Sequence, residues 1–288
     1  MNKIGIICDL YNSRHPLLKS YYHSVKNIYE DVSKIVMNAD DLDGVELLFI
    51  GDDHYQVHKD VLHKEGFIDR CNVDGIKVVV FTNEKIFNSY FPWNEDNCKI
   101  VQTIKNLYHY TIDVDDCKRL GTKLARSAPS KTFKPFTETL SKDKIDKAVF
   151  IGKTGRQCAS YTERSIMLRK AGIEIDILPP TLPNWSAYMT ELSKYRFVFS
   201  PIGNGNFFTM RFYEALAVNS IPIHQVREDT LDYYDIEATF DDCIFFQKVE
   251  EIPEKIKTFT QKTSHNILWM EDMIELLLKK DGLLISTT

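Results

Sequence analysis

The stretch Tyr195-Arg196-Phe197-Val198-Phe199-Ser200-Pro201-Ile202-Gly203-Asn204-Gly205-Asn206-Phe207-Phe208-Thr209-Met210-Arg211-Phe212-Tyr213-Glu214-Ala215-Leu216, closed by Ser220-Ile221-Pro222-Ile223, reads as strand, glycine loop, helix start and strand. Strands are predicted over Arg196–Ser200 and Ser220–His224, with a helix over Thr209–Val218 between them. In an open α/β sheet, ligands sit beyond the carboxyl ends of the strands. Helix N-termini there offer free N–H groups and a positive dipole to anions. The loop Ser200, Pro201, Gly203, Asn204 and Gly205 is therefore a candidate phosphate cradle, its glycines letting the backbone come close. Arg211 in the first helical turn adds a fixed cation, and Glu214 can accept from two sugar hydroxyls. This set of groups suits a nucleoside diphosphate-sugar.

Working outward, Lys147–Ile151 is a predicted strand that enters Gly152-Lys153-Thr154-Gly155-Arg156, followed by a helix over Tyr161–Ala171 and a strand over Ile173–Leu178. Lys153, Thr154 and Arg156 would then stand beside the same diphosphate at a neighbouring strand end. The order of a P-loop is absent. Arg164 is a further candidate cation. Trp185 and Tyr188 belong to the turn and helix before the loop, and the block Tyr233, Tyr234, Phe240, Phe245 and Phe246 is expected to cover an edge.

The first half repeats the same rhythm. Strands are predicted over Lys3–Cys8, Val45–Ile50, Lys77–Phe81 and about Leu107–Ile112, each near-continuously apolar as strands covered on both faces should be. Tyr22, Val25, Ile28, Tyr29, Val32, Ile35 and Val36 recur at three and four, which predicts a helix over Tyr21–Val36. A shorter helix is predicted over Gly121–Arg126. The aperiodic segment Ser127–Pro135, with two prolines, and the charged run Ser141–Lys144 mark a linker. The expected organisation is α/β, with one Rossmann-like domain over 1–140 and a second over 141–288. An apolar face of Ile267, Met270, Ile274, Leu277 and Leu278 forms a C-terminal helix that could pack back on the first domain.

The segment Ser200-Pro201-x-Gly203, then Arg211-Phe212-Tyr213-Glu214-Ala215-Leu216, then Ile221-Pro222-Ile223 resembles the donor-binding motif of the exostosin-like glycosyltransferases. About 30 residues match closely and the last 140 loosely. The resemblance implies a GT-B fold, two Rossmann-like domains facing each other across a cleft, and an inverting sugar transfer. It also implies a donor held mainly by the second domain, with Glu214 on the ribose and Arg211 near the diphosphate, and no metal cofactor. His224 departs from the family, which more often has a small apolar residue there.

The 288 residues carry 36 basic and 41 acidic side chains, a net charge of −5, so no global field attracts nucleic acid or an anionic membrane. Gly and Pro, 12 and 10 residues, are too few for a disordered or collagen-like chain. Six scattered cysteines form no disulfide framework. The N-terminus has no signal h-region and no stretch reaches the roughly 20 apolar residues of a membrane span, so a cytoplasmic protein of a bacterium or virus is expected. The expected partners are a nucleotide-sugar, UDP-linked in the first instance (UDP-xylose, UDP-glucuronate or UDP-galactose), and a glycan acceptor. A dimer is left open.

An inverting transfer needs a general base for the acceptor hydroxyl. Candidates stand at the carboxyl ends of the first-half strands: Asp53 and His54 foremost, then Asp9 and Glu84. Asp113-Val114-Asp115 matches the short Asp-x-Asp signature of metal-dependent GT-A glycosyltransferases. His54, His58 and His63 have helical spacing, but no carboxylate supports a metal site. A GDP-sugar-dependent fucosyltransferase-like enzyme and a non-catalytic glycan-binding module are the remaining rivals.

Overall fold

A computed structural model describes residues 3–7, 23–30, 32–52, 61–82, 86, 93–126, 128–140, 143–155, 159–202, 205, 208–228, 230, 242–260 and 269–284. The chain divides into two compact units, Met1–Thr132 together with Trp269–Thr288, and Phe133–Leu268.

The first unit holds β1 (Ile4–Ile7), β2 (Ser33–Ile35), β3 (Leu47–Asp52), β4 (Lys77–Thr82), β5 (Leu107–Thr111) and β6 (Lys123–Leu124). They form one parallel sheet in the order β2-β1-β3-β4-β5-β6. The second unit holds β7 (Ile145–Ile151), β8 (Ile175–Leu178), β9 (Tyr195–Ser200), β10 (Ile221–Gln225) and β11 (Ile244–Phe246), also all parallel, in the order β11-β10-β9-β7-β8. Counted from its own first strand, each sheet begins 2-1-3-4-5, the doubly wound order. The α/β class expected from the sequence is the one observed. Central strands are covered on both faces: Val78, Val79 and Val80 of β4 and Val198 and Phe199 of β9 are all fully buried. That burial is why these stretches are apolar without alternation.

Two expected helices are corrected. Over Tyr21–Val36, the helix occupies 23–28 of the described residues, and Ser33–Ile35 is the edge strand β2, paired with β1. Val36 N–H continues that pairing by donating to Ile6 O at 3.0 Å. The β-branched Val32, Ile35 and Val36 suit a pleated edge better than a helix, so tertiary pairing overrides the apparent three-four spacing. Over Gly121–Arg126, Gly121 is instead the left-handed C-cap (φ 66°) of the helix Val114–Leu120, after which Lys123–Leu124 pairs with β5. Only a residue without a Cβ takes that turn cheaply. The C-terminal helix spans Met270–Lys280 with Met270, Met273, Ile274 and Leu278 buried; Ile267 lies outside the described residues. Its buried Glu271 accepts from Ser130 Oγ at 2.6 Å and Lys131 N–H at 2.8 Å, which ties the helix to the segment 130–131.

Lys144, in what reads as a charged linker, is instead a staple of the second unit. Its ammonium donates to Ser193 O, Val218 O and Ser220 Oγ at 2.8, 2.9 and 3.0 Å. The first two are acceptors at the C-terminal ends of two helices, where a cation is favoured.

Buried histidines set the acid response. His109 on β5, 3.0 Å from Thr82 Oγ1, is held down to about 4 by burial, and His224 on β10 to about 3. Both are neutral in the folded protein but take up a proton near pH 6.5 once unfolded. The unfolded state therefore binds more protons between those limits, and stability present above pH 6.5 drains as pH falls toward 4, by up to about 1.4 kcal/mol per pH unit for each ring. Urea midpoints measured from pH 7 to pH 4.5 should fall more steeply in the native protein than in His109→Gln; equal slopes would contradict this.

Candidate functional site at the strand ends of the second unit

In a doubly wound sheet, ligands bind where the strand order reverses, outside the carboxyl ends of the strands. In the second unit that point lies between β7 and β9. The loop that begins at Gly152 leaves β7, and the loop that begins at Pro201 leaves β9, so topology brings the two quoted segments to one place.

Arg211 joins them. It sits in the first turn of the helix Met210–Ala217 that follows the β9 loop. Its Nη2 donates to Ile151 O, the last carbonyl of β7, at 2.7 Å, and its guanidinium lies 4.7 Å from the Phe150 ring centroid. Among the described residues its buried Nε has no hydrogen-bond partner. A stacked guanidinium with unmet N–H capacity at a strand end is a fixed, partly desolvated cation. Gly152 makes room for it, because a Cβ there would stand 2.8 Å from Phe150 Cζ and 3.0 Å from Arg211 Nη2. The missing side chain at 152 is thus a requirement of the arginine's position. Gly152→Ala should weaken phosphate-ligand affinity about tenfold, roughly one charge-assisted hydrogen bond, with little loss of secondary structure; titration alongside circular dichroism checks it.

The β7 loop is clamped to the helix Ala159–Lys170: Gly155 N–H donates to Ser165 Oγ at 3.0 Å and Thr162 Oγ1 donates to Gly155 O at 3.3 Å. Lys153 and Thr154 are exposed at its tip. Arg164 packs its guanidinium 5.3 Å from the Tyr161 ring. Arg156 lies outside the described residues.

Glu214, one helical turn after Arg211, is 6% exposed. Trp185 Nε1 donates to its Oε1 at 3.3 Å and Tyr188 OH to its Oε2 at 2.9 Å. Burial beside this carboxylate pushes the Tyr188 phenol well above its usual range, which keeps it a donor. The sequence places Trp185 and Tyr188 in the preceding helix, observed at Trp185–Ser193, but nothing in their spacing points to Glu214. The carboxylate therefore anchors two helices to each other, whatever else its remaining lone pairs accept.

Ser200 is fully buried; its Oγ lies 2.7 Å from Thr209 Oγ1 and 3.1 Å from His224 Nδ1. Pro201 and Gly205 are buried, while Gly203 and Asn204 lie outside the described residues. Beside this loop, Glu163, Ile202, Gln225, Arg227 and Gln247 line a cavity of about 400 Å³. That volume falls in the range of small-molecule sites.

In the first unit the corresponding reversal lies between β1 and β3. Asp9 follows β1, Asp53 and His54 follow β3, and Glu84 follows β4 in the chain; all four lie outside the described residues. Asp113 is the fully buried N-cap of the helix Val114–Leu120, its Oδ1 accepting from the Asp115 and Asp116 N–H groups at 3.0 and 3.1 Å. Asp116 in turn accepts from Ile86 N–H at 2.5 Å. Asp113, the first of the Asp-x-Asp pair, is therefore a helix cap. Among the described residues no group of three or more His, Cys, Asp or Glu side chains is placed to hold a metal, and no helix is long and apolar enough to cross a membrane.

No protein-family model and no curated protein matches the chain. Solved structures of similar layout include a protein from Listeria monocytogenes described as a candidate UDP-N-acetylglucosamine 2-epimerase, at 8% identity and TM-score 0.46, covering 90% of this chain and 89% of that one. Another is a UDP-forming α,α-trehalose-phosphate synthase from Burkholderia xenovorans in complex with glucose-6-phosphate, at 8% identity and TM-score 0.41, covering 95% and 81%. What the site does is read from its own side chains.

Proposed function

We propose that the protein is an inverting glycosyltransferase of the GT-B kind, which binds a nucleotide-sugar on its second unit and passes the sugar to a glycan hydroxyl. The observation that carries this reading is Arg211, held over Phe150 at the sheet's switch point with an unmet, buried Nε. Such a cation would neutralise the β-phosphate as the diphosphate leaves. The exposed Lys153 and the amino end of the helix Met210–Ala217 would add charge and N–H groups. On this reading the cavity beside Ile202 takes the nucleoside, with UDP the expected form. The exostosin-like motif over Ser200–Ile223 supports the same assignment.

The base would come from the first unit, from Asp53 or His54, then Asp9 or Glu84. It would accept the proton of the acceptor hydroxyl while that oxygen attacks the anomeric carbon on the face opposite the departing diphosphate, inverting the centre. With protein cations covering the leaving group, no divalent metal is required. The test is hydrolysis of UDP- and GDP-sugars and their transfer to glycan acceptors, in EDTA. UDP release that persists in EDTA supports the reading. GDP preference would move it to the fucosyltransferase-like alternative, strict metal dependence would overturn the metal-free chemistry, and binding without turnover would leave a glycan-binding module.

A further inference from the structure

His224 stands where the exostosin-like motif favours a small apolar residue, and its surroundings give it a task. The ring is fully buried in an aromatic box, with Phe208 and Phe212 each 5.0 Å and Phe245 6.4 Å from it, centroid to centroid. Its pKa is pushed down to about 3 by that burial, so the imidazole is neutral at working pH. Among the described residues Nε2 has no hydrogen-bond partner, and Nδ1 meets Ser200 Oγ at 3.1 Å. Ser200 Oγ in turn meets Thr209 Oγ1 at 2.7 Å.

Thr209 is the N-cap of the helix Met210–Ala217, with the extended backbone such a residue adopts (φ −67°, ψ 159°), yet its side chain makes no capping hydrogen bond. A threonine at this position ordinarily turns its Oγ1 onto the N–H of the second or third helical residue, here Arg211 or Phe212; the Phe212 N–H already donates to Thr209 O at 3.0 Å, so the Arg211 N–H is the one left to cap. Its hydroxyl is engaged by Ser200 instead. We infer that Ser200 and His224 are positioning residues that hold the Thr209 hydroxyl off the helix, leaving the Arg211 N–H and guanidinium to an anionic ligand. The inference rests on the proposed phosphate site for its purpose, but the hydroxyl relay itself can be tested without any ligand.

The relay explains why the buried Ser200 and His224 meet the half-buried Thr209 at the base of the loop. Ser200 closes β9, His224 lies on β10 and Thr209 opens the next helix, so the chain of contacts pins both ends of the 201–208 loop to the sheet. Because the histidine is neutral, its Nδ1 meets the Ser200 hydroxyl as donor or acceptor according to the tautomer.

Ser200→Ala is the deciding variant. With its partner gone, Thr209 Oγ1 is expected to swing onto the helix and cap it. Hydrogen exchange on the ligand-free protein should then show the Arg211 amide protected about fivefold more than in the native protein, the scale of one side-chain cap. UDP titration should show affinity reduced about fivefold to tenfold, because the Arg211 N–H is then taken up by the cap. His224→Phe, which fills the same box without Nδ1, should change both readouts in the same direction. In the Thr209→Val background there is no hydroxyl to release, so adding Ser200→Ala should change neither readout further. Merely structural roles would lower stability in each variant without raising amide protection. Unchanged or reduced protection in Ser200→Ala, or an additive double variant, overturns the relay. Raised protection in a protein whose native form binds no nucleotide keeps the relay and overturns the proposed function.

Discussion

Replacing Arg211 by Ala is expected to lower kcat/KM for the sugar donor by about 10²–10³-fold, the loss seen when one preorganised donor to a developing anion is removed. The expectation follows from its placement. The guanidinium is fixed by Phe150 beneath it and by the Ile151 carbonyl beside it, so little side-chain entropy remains to be lost when a diphosphate binds. Arg211→Lys should recover little, since an ammonium can neither stack on the ring nor present two N–H groups in one plane. Stability should change far less than turnover, because the unmet Nε now carries a desolvation cost that both variants remove. Steady-state kinetics with thermal denaturation on the same preparations separates the two quantities. A loss of turnover below threefold in Arg211→Ala would remove this residue from the site.

Glu214→Ala should produce the largest loss of stability. Truncation strands the Trp185 indole N–H and the Tyr188 hydroxyl, both now satisfied by the carboxylate. Taking the acceptor from two half-buried donors costs about 1–3 kcal/mol. Glu214→Gln keeps one acceptor oxygen but turns an amide NH₂ toward the other donor, so it should lie between native and Ala. Urea unfolding followed by tryptophan fluorescence measures this directly, since Trp185 reports on the contact itself. If Gln unfolds like the native protein while donor affinity falls, the carboxylate's remaining lone pairs serve the ligand as well as the helix packing.

The sheets were legible from the sequence because their central strands are buried on both faces: Lys77–Thr82 and Tyr195–Ser200 are apolar runs with no other reading that fits their length. Edge elements were not. Ser33–Ile35 carries an exposed Ile35 (43%) on the rim, and its residues fall by chance on a helical stripe. Lys123–Leu124 is a two-residue strand set by pairing with β5 alone, and its own sequence holds no strand signal.

At the site, the glycine loops and Arg211 could be found because they lie near one another in the chain and follow strands. Their meeting with Gly152, 59 positions earlier than Arg211, needed the strand order β9-β7. The partners of Glu214 were hidden for a similar reason, since indole and phenol side chains on a helix ordinarily read as core. Lys144 shows the same limit from the other side: a lysine in a charged run reads as solvated, and only the helix ends that it joins reveal that it is a staple.

The central claim is that a phosphate-bearing nucleotide binds at the β7–β9 strand ends through Arg211. Calorimetric titration of the native protein and of Arg211→Ala with UDP, in EDTA, tests it most directly. The account predicts saturable binding to the native protein that weakens at least tenfold in the variant, the size of a charge-assisted hydrogen bond to phosphate, with both proteins folded. Equal affinity in the two proteins, or no binding of any nucleotide to the native protein, would contradict it.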